Sequence, residues 1–188
     1  MIWYDKGMGK LIMWNVISLD GYFEGSKPWD LDFHQTAWGD DLEAYVNEQL
    51  KTVDTIIFGK DTYQGMTDYW SKEEGETAQY MNKLPKIVCS TTLETADWNN
   101  SRVVKDAVAE IFKLKQAGDG NMFVFGSGNL SESLMKAGLF DEYRLCVAPV
   151  FLGKGKRLFN EGLPYQKLEL FHTQLLQSGG LILMYAPR

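Results

Sequence analysis

Apolar positions along the chain fall in short dense runs, separated by stretches where they recur at helical spacing. Residues 10–17, 55–58, 86–89, 103–104 and 122–125 are nearly continuous apolar runs, and such runs predict strands buried on both faces. Between them, residues 41–50 put Leu42, Tyr45, Val46 and Leu50 on one helical face behind Asp40 as a cap. Residues 106–116 carry Val108, Ile111, Phe112 and Lys115 at the same spacing and stop at Gly118, and residues 129–137 form a further helix closed by Gly138. Residues 61–66 predict a weaker helix, whereas 67–84 read as polar and irregular with one helical turn over 77–82. After residue 141 the pattern changes to a long strand over 141–151 and two more over 168–176 and 180–185, joined by a hairpin turn at Ser178-Gly179. The chain is expected to be α/β with an antiparallel C-terminal meander, one unit over residues 1–188 without a repeat, residues 1–9 being an N-terminal extension.

Composition narrows the class. A chain of 188 residues buries roughly 70% of its unfolded surface, enough for a core with room for a pocket. A net charge of −6 disfavours nucleic acid and anionic membranes as partners, because both are held by positive patches, so an anionic ligand must be gripped locally. Cys89 and Cys146 sit in apolar runs, and His34 and His172 lack metal-ligand spacing, so neither a disulfide framework nor a metal site is expected. The apolar stretch near the N-terminus has no small-residue cleavage site and is far short of the ~20 residues of a membrane span. A cytoplasmic location is expected.

Three strand ends carry candidate chemistry: Phe58-Gly59-Lys60-Asp61-Thr62-Tyr63, Cys89-Ser90-Thr91-Thr92 and Phe125-Gly126-Ser127-Gly128-Asn129. In open α/β sheets, ligands bind beyond the carboxyl ends of strands, where helix N-termini present unpaired N–H groups to anions. Each turn alone is open to a plainer reading, with Asn129 or Ser127 capping a helix, Ser90 and Thr91 forming a turn, and Lys60 solvated. Together they favour a dinucleotide. The Rossmann pattern fits poorly, because Gly126-x-Gly128-x-x-Ser131 lacks the third glycine and Asp141 and Glu142 begin a strand instead of ending one. Gly153-Lys154-Gly155-Lys156-Arg157 lacks P-loop spacing and reads as a basic turn whose charges are available to a substrate phosphate.

The segments ISLDGYFEG, IIFGKDTYQGM, KIVCSTTLE, VFGSGNLSESLMKAGLFDEYRLCVAPVFLGKGKRLF and GGLILMY, in this order, resemble the dihydrofolate-reductase-like superfamily. Within it they are most similar to the reductase domain of the bifunctional riboflavin-biosynthesis deaminase/reductase. The resemblance implies a three-layer fold, with a central, mostly parallel sheet, flanking helices and an antiparallel C-terminal hairpin. It also implies NADPH across the strand ends, a small-molecule substrate and a homodimer. Carried onto this sequence, Gly59, Lys60 and Thr62 would lie by the cofactor phosphates, Ser90 and Thr91 by its adenosine side, and Gly126, Ser127, Gly128, Asn129 and Leu130 beneath the pyrophosphate. Departures exist: the family's Glu-Gly-Gly is Phe125-Gly126-Ser127-Gly128 here, and none of Asp40, Asp41 and Glu43 can be assigned as a pterin-binding carboxylate.

Hydride transfer needs a dry pocket and often a proton source. Asp20 is the candidate for substrate hydrogen bonding or proton donation, with Tyr22, Phe23 and Trp29 as a water-excluding lid and Tyr63, Tyr69 and Trp70 as walls. The alternative makes Asp20-Gly21 a structural turn, in which Asn should replace Asp20 well, and the aromatics core. His34 is expected to be solvent-facing or structural. Two functions stand: an NADPH-dependent reductase, or a nucleotide-binding regulatory protein that kept the cleft without turnover.

Overall fold

The computed structural model describes residues 9–118 and 120–188. Its strands are β1 Leu11–Ser18, β2 Tyr22–Glu24, β3 Thr55–Gly59, β4 Lys86–Cys89, β5 Ser101–Val104, β6 Met122–Phe125, β7 Glu142–Ala148, β8 Lys156–Arg157, β9 Leu168–Leu175 and β10 Leu181–Pro187. Its helices are α1 Asp40–Leu50, α2 Lys60–Trp70, α3 Glu76–Lys83, α4 Ala107–Ala117 and α5 Gly128–Lys136. Eight strands form one sheet in the order β5-β4-β3-β6-β1-β7-β10-β9. The first six run parallel, and β10 and β9 are antiparallel additions. This is the α/β, dihydrofolate-reductase-like architecture expected from the pattern and the resemblance.

The central strands β1, β3 and β6 are predominantly apolar because both their faces are covered. Ile12, Trp14, Ile56, Phe58 and Phe123 pack against Leu42, Val46 and Leu50 of α1 and Met81 of α3. On the other face Leu11, Met13, Ile57, Met122 and Val124 pack against Ile111 of α4 and Leu134 and Met135 of α5. Period-two alternation thus sends successive side chains of one strand into two different cores.

Several local expectations need correction. The segment expected to be irregular holds the last turn of α2 and all of α3; these helices bury only Thr62 and Tyr63, and Thr77, Ala78 and Met81, so their apolar stripes are too thin to read. Asp40 is the first residue of α1 and Gly39 occupies the cap position, without a side-chain cap bond. The strand expected to reach residue 151 ends at Ala148, before Pro149, which has no N–H for a ladder bond. β2 and β8 form a small separate sheet inside segments that read only as a loop and a basic turn.

Candidate functional site

The three glycine and hydroxyl turns come from strands that are neighbours in the sheet, β4, β3 and β6. Gly59 and Cys89 are register partners, so Ser90 and Lys60 leave the sheet side by side. At the adjoining strand, Gly126 and Ser127 take left-handed backbone angles, φ +57° and +61°. For the serine this is uncommon, and its side chain explains how it is held: Ser127 Oγ accepts from the Gly59 N–H at 2.8 Å and donates to the Phe125 carbonyl at 3.2 Å. Ser127 is therefore a bridge between two turns and makes no cap bond to α5. Gly59, at the cap of α2, makes none either. Two neighbouring helix starts thus lack side-chain caps, an arrangement of backbone dipoles suited to phosphate. Capping is not the role of Ser127 or Asn129.

Beside these starts lies a cleft of ≈ 640 Å³. β1 forms one wall: its pairing with β6 ends at Trp14–Phe125 while its pairing with β7 runs on to Ser18–Ala148, so past Trp14 one edge of β1 has no strand partner. Trp14, Phe23, Trp29, Trp38, Tyr69 and Trp70 supply aromatic surface. Trp29 has φ +64°, and its indole sits over Gly65 of α2, where an added Cβ would come within 2.6 Å of the ring. Its backbone N–H donates to Glu24 Oε1 at 3.1 Å, and the same oxygen accepts from Lys156 Nζ at 2.6 Å. The short β2–β8 sheet thereby fixes the entry of the aromatic loop.

Of the residues singled out in the sequence, Thr62, Gly126, Phe23, Trp29, Tyr69 and Trp70 line the cleft. Gly59, Lys60, Ser127, Gly128, Asn129 and Leu130 stand at the two helix starts next to it. Gly128 has a local reason for being glycine, since a Cβ there would meet Phe23 Cζ at 2.8 Å. Ser90 Oγ accepts from the Thr92 and Leu93 amides and so shapes its own turn, and Thr91 accepts through its carbonyl from Lys105 Nζ.

Asp20, Tyr22 and Tyr63 are outside the cleft lining. Asp20 Oδ1 accepts from Ser18 Oγ at 2.6 Å and from the Leu152 amide at 3.1 Å, and Oδ2 accepts from the Gly153 amide at 2.7 Å. The Ser18 hydroxyl, followed by those two amides, draws its carboxyl down to about 2. A carboxylate so engaged has no proton to donate near neutral pH, and it clamps the 152–153 loop to the Asp20-Gly21 turn. That corrects the proton-donor assignment. Tyr22 pairs with the basic turn, Arg157 lying 4.7 Å from its ring centre. Tyr63 is buried, and its hydroxyl accepts from the Trp98 amide at 2.8 Å.

Asn15 was passed over in the sequence, and His34 was expected to be solvent-facing or structural. Both line the cleft, and both keep a buried nitrogen, Asn15 Nδ2 and His34 Nε2, without a hydrogen-bond partner. Burial pulls the His34 imidazole down to about 4, so the ring is neutral at physiological pH. An orphaned buried donor costs about 1–3 kcal/mol, a cost usually met at sites built for something else to bind.

Fold and site together define a dihydrofolate-reductase-like protein with a cleft at the carboxyl ends of its parallel strands. The chain belongs to the RibD C-terminal domain family, whose model matches residues 9–182. It is 29% identical over 182 residues to the uncharacterized protein YyaP of Bacillus subtilis (strain 168), covering 94% of both chains. Among solved structures it is similar to Acinetobacter baumannii RibD, with a TM-score of 0.71 at 17% identity, covering 97% of this chain and 59% of that one. It is also similar to dihydrofolate reductase from Enterococcus faecalis complexed with NADP(H), with a TM-score of 0.63 at 14% identity, covering 97% of this chain and 98% of that one.

Proposed function

We propose that the protein is an NADPH-dependent reductase of a small, flat heterocyclic or ribosyl-type substrate. The observation that carries this reading is the pair of uncapped helix starts, α2 and α5, on adjacent strands and beside an aromatic cleft. Gly59, Lys60, Thr62 and Gly126 to Leu130 would hold the cofactor phosphates, and Ser90 and Thr91 its adenosine end. NADPH bound there supplies the hydride. Trp29, Trp70 and their aromatic neighbours hold the substrate flat and exclude water. The E. faecalis structure, which carries NADP(H), supports the cofactor assignment by similarity of fold. Steady-state oxidation of NADPH across a panel of pteridines, pyrimidines and their ribosyl derivatives, with dihydrofolate and the phosphoribosylamino-uracil intermediate of riboflavin synthesis among them, tests it. Turnover with at least one such heterocycle is expected, and its absence across a broad panel counts against catalysis.

A regulatory, non-catalytic reading has one observation in its favour. Asp20, expected from the sequence to hydrogen-bond the substrate or donate a proton, accepts instead from Ser18 and from the Leu152 and Gly153 amides. NADPH binding without turnover would select it.

A homodimer is also proposed. β9 is an edge strand whose Leu168, Leu170, Phe171 and Leu175 are exposed, near-continuous apolar surface of the kind that pairing covers. Sedimentation equilibrium across micromolar concentrations should give twice the chain mass, and a monomer mass removes the idea.

A further inference from the structure

The cleft has a marked charge asymmetry. Glu24, Asp32, Glu43, Glu73, Glu74 and Glu76 line it, and among the described residues no lysine or arginine does. Two of these charges are answered nearby: Glu24 pairs with Lys156 at 2.6 Å, and Glu76 lies 3.7 Å from Lys51. Asp32, Glu43, Glu73 and Glu74 make no ion pair among the described residues.

The basic turn that the sequence offered as a substrate-phosphate contact is committed elsewhere. Lys156 is held by Glu24, and Arg157 Nη1 donates to the Asp20 carbonyl while its guanidinium covers Tyr22. Lys60 begins α2 and is not in the lining, which leaves it to the helix starts.

The neutral features point the same way. Asn15 is 6% exposed, lines the cleft and leaves Nδ2 unpartnered, while His34 adds a second unpartnered nitrogen on a neutral ring. Trp29, Trp38 and Tyr69 remain partly exposed at the cleft, and aromatic faces attract cations and stack on flat rings.

We infer that the substrate half of the cleft takes a planar heterocycle that is neutral or cationic and rejects one that carries a phosphate. This rests on the reductase reading and narrows it. A phosphate in the cleft would face four unpaired carboxylates at solvent-exposed positions and no lysine or arginine of the lining, and like-charge juxtaposition of that kind discriminates against it. The phosphate-binding machinery sits instead at the helix starts, reserved for the cofactor.

Riboflavin and its 5′-phosphate test the inference, since they share one ring system and differ in the phosphate; proflavine serves as a planar cation. Each is titrated by tryptophan quenching into protein saturated with NADP+, whose own binding is measured first. If NADP+ fails to bind, the reductase reading falls on that separate result. With NADP+ bound, riboflavin and proflavine should bind at least roughly tenfold tighter than the 5′-phosphate. The variant Glu73→Lys/Glu74→Lys, altered only at exposed rim positions, should narrow that gap. Equal or tighter binding of the 5′-phosphate by the unmodified protein overturns the inference, as does failure of all three probes to bind or a gap unchanged in the double variant.

Discussion

Ser127 Oγ stands 2.8 Å from the Gly59 amide and accepts its proton, joining the turn after β6 to the turn after β3. Through this one bond the starts of α5 and α2 are held as a single surface. Replacing Ser127 with Ala leaves the half-buried Gly59 N–H without this partner and should cost about 1 kcal/mol of stability. Ser127→Gly relieves the left-handed backbone but still loses the bridge. Both variants should weaken NADPH binding, the Ala variant more, as read by calorimetric titration alongside urea unfolding.

Asp20 uses both carboxylate oxygens as acceptors, so Asn is a poor replacement even though the role is structural. One oxygen becomes an NH2 group and must confront the Leu152 or the Gly153 amide. Because the folded carboxyl is held at about 2, below its ordinary 3.8, its contribution is fully present above pH 4 and is lost as the pH falls through 2. The hydrogen-exchange protection of Leu152 and Gly153, taken relative to the intrinsic rate at each pH, should therefore fall between pH 4 and 2 in the unmodified protein, and be low already at neutral pH in Asp20→Asn.

Gly65 gives room to the Trp29 indole. Gly65→Ala improves helix propensity by about 1 kcal/mol yet drives a Cβ to 2.6 Å from the ring, so Trp29 must move. The expected result is a fold of nearly unchanged stability with unaltered NADPH affinity and turnover efficiency lower by roughly 10- to 100-fold, measured as kcat/KM once a substrate is in hand.

His34 should make stability depend on pH in the mildly acidic range. Its folded value of about 4 lies below the ordinary 6.5, so the unfolded chain binds the proton first. Stability is fully present above pH 6.5 and declines as pH falls towards 4. Between pH 7 and pH 5 this amounts to about 2 kcal/mol, and His34→Phe should remove that part of the decline in urea unfolding.

The legible part of this protein was its buried part. β1, β3, β4 and β6 are covered on both faces, so their sequences are predominantly apolar, and the turns after them carry glycines and hydroxyls that mark close backbone approach. α2 and α3 turn most of their surface to the cleft or to solvent, and only a few buried positions distinguish them from loop. The site was half legible for a related reason. Gly126 and Thr62 are local to their turns, but Asn15 is hidden inside an apolar run, and Glu24 acquires meaning only from Lys156, which the fold brings from far along the chain. Gly128 also gives room to Phe23, a contact that only the fold brings about.

The role proposed for the joined starts of α2 and α5 is to bind a dinucleotide phosphate. It is tested most directly by calorimetric titration of NADPH into the unmodified protein and into Ser127→Ala, with urea unfolding confirming that both are folded. The account predicts one NADPH per chain and an affinity at least roughly tenfold weaker in the variant, about 1.4 kcal/mol. No binding by the unmodified protein, or equal binding by a folded Ser127→Ala, would contradict it.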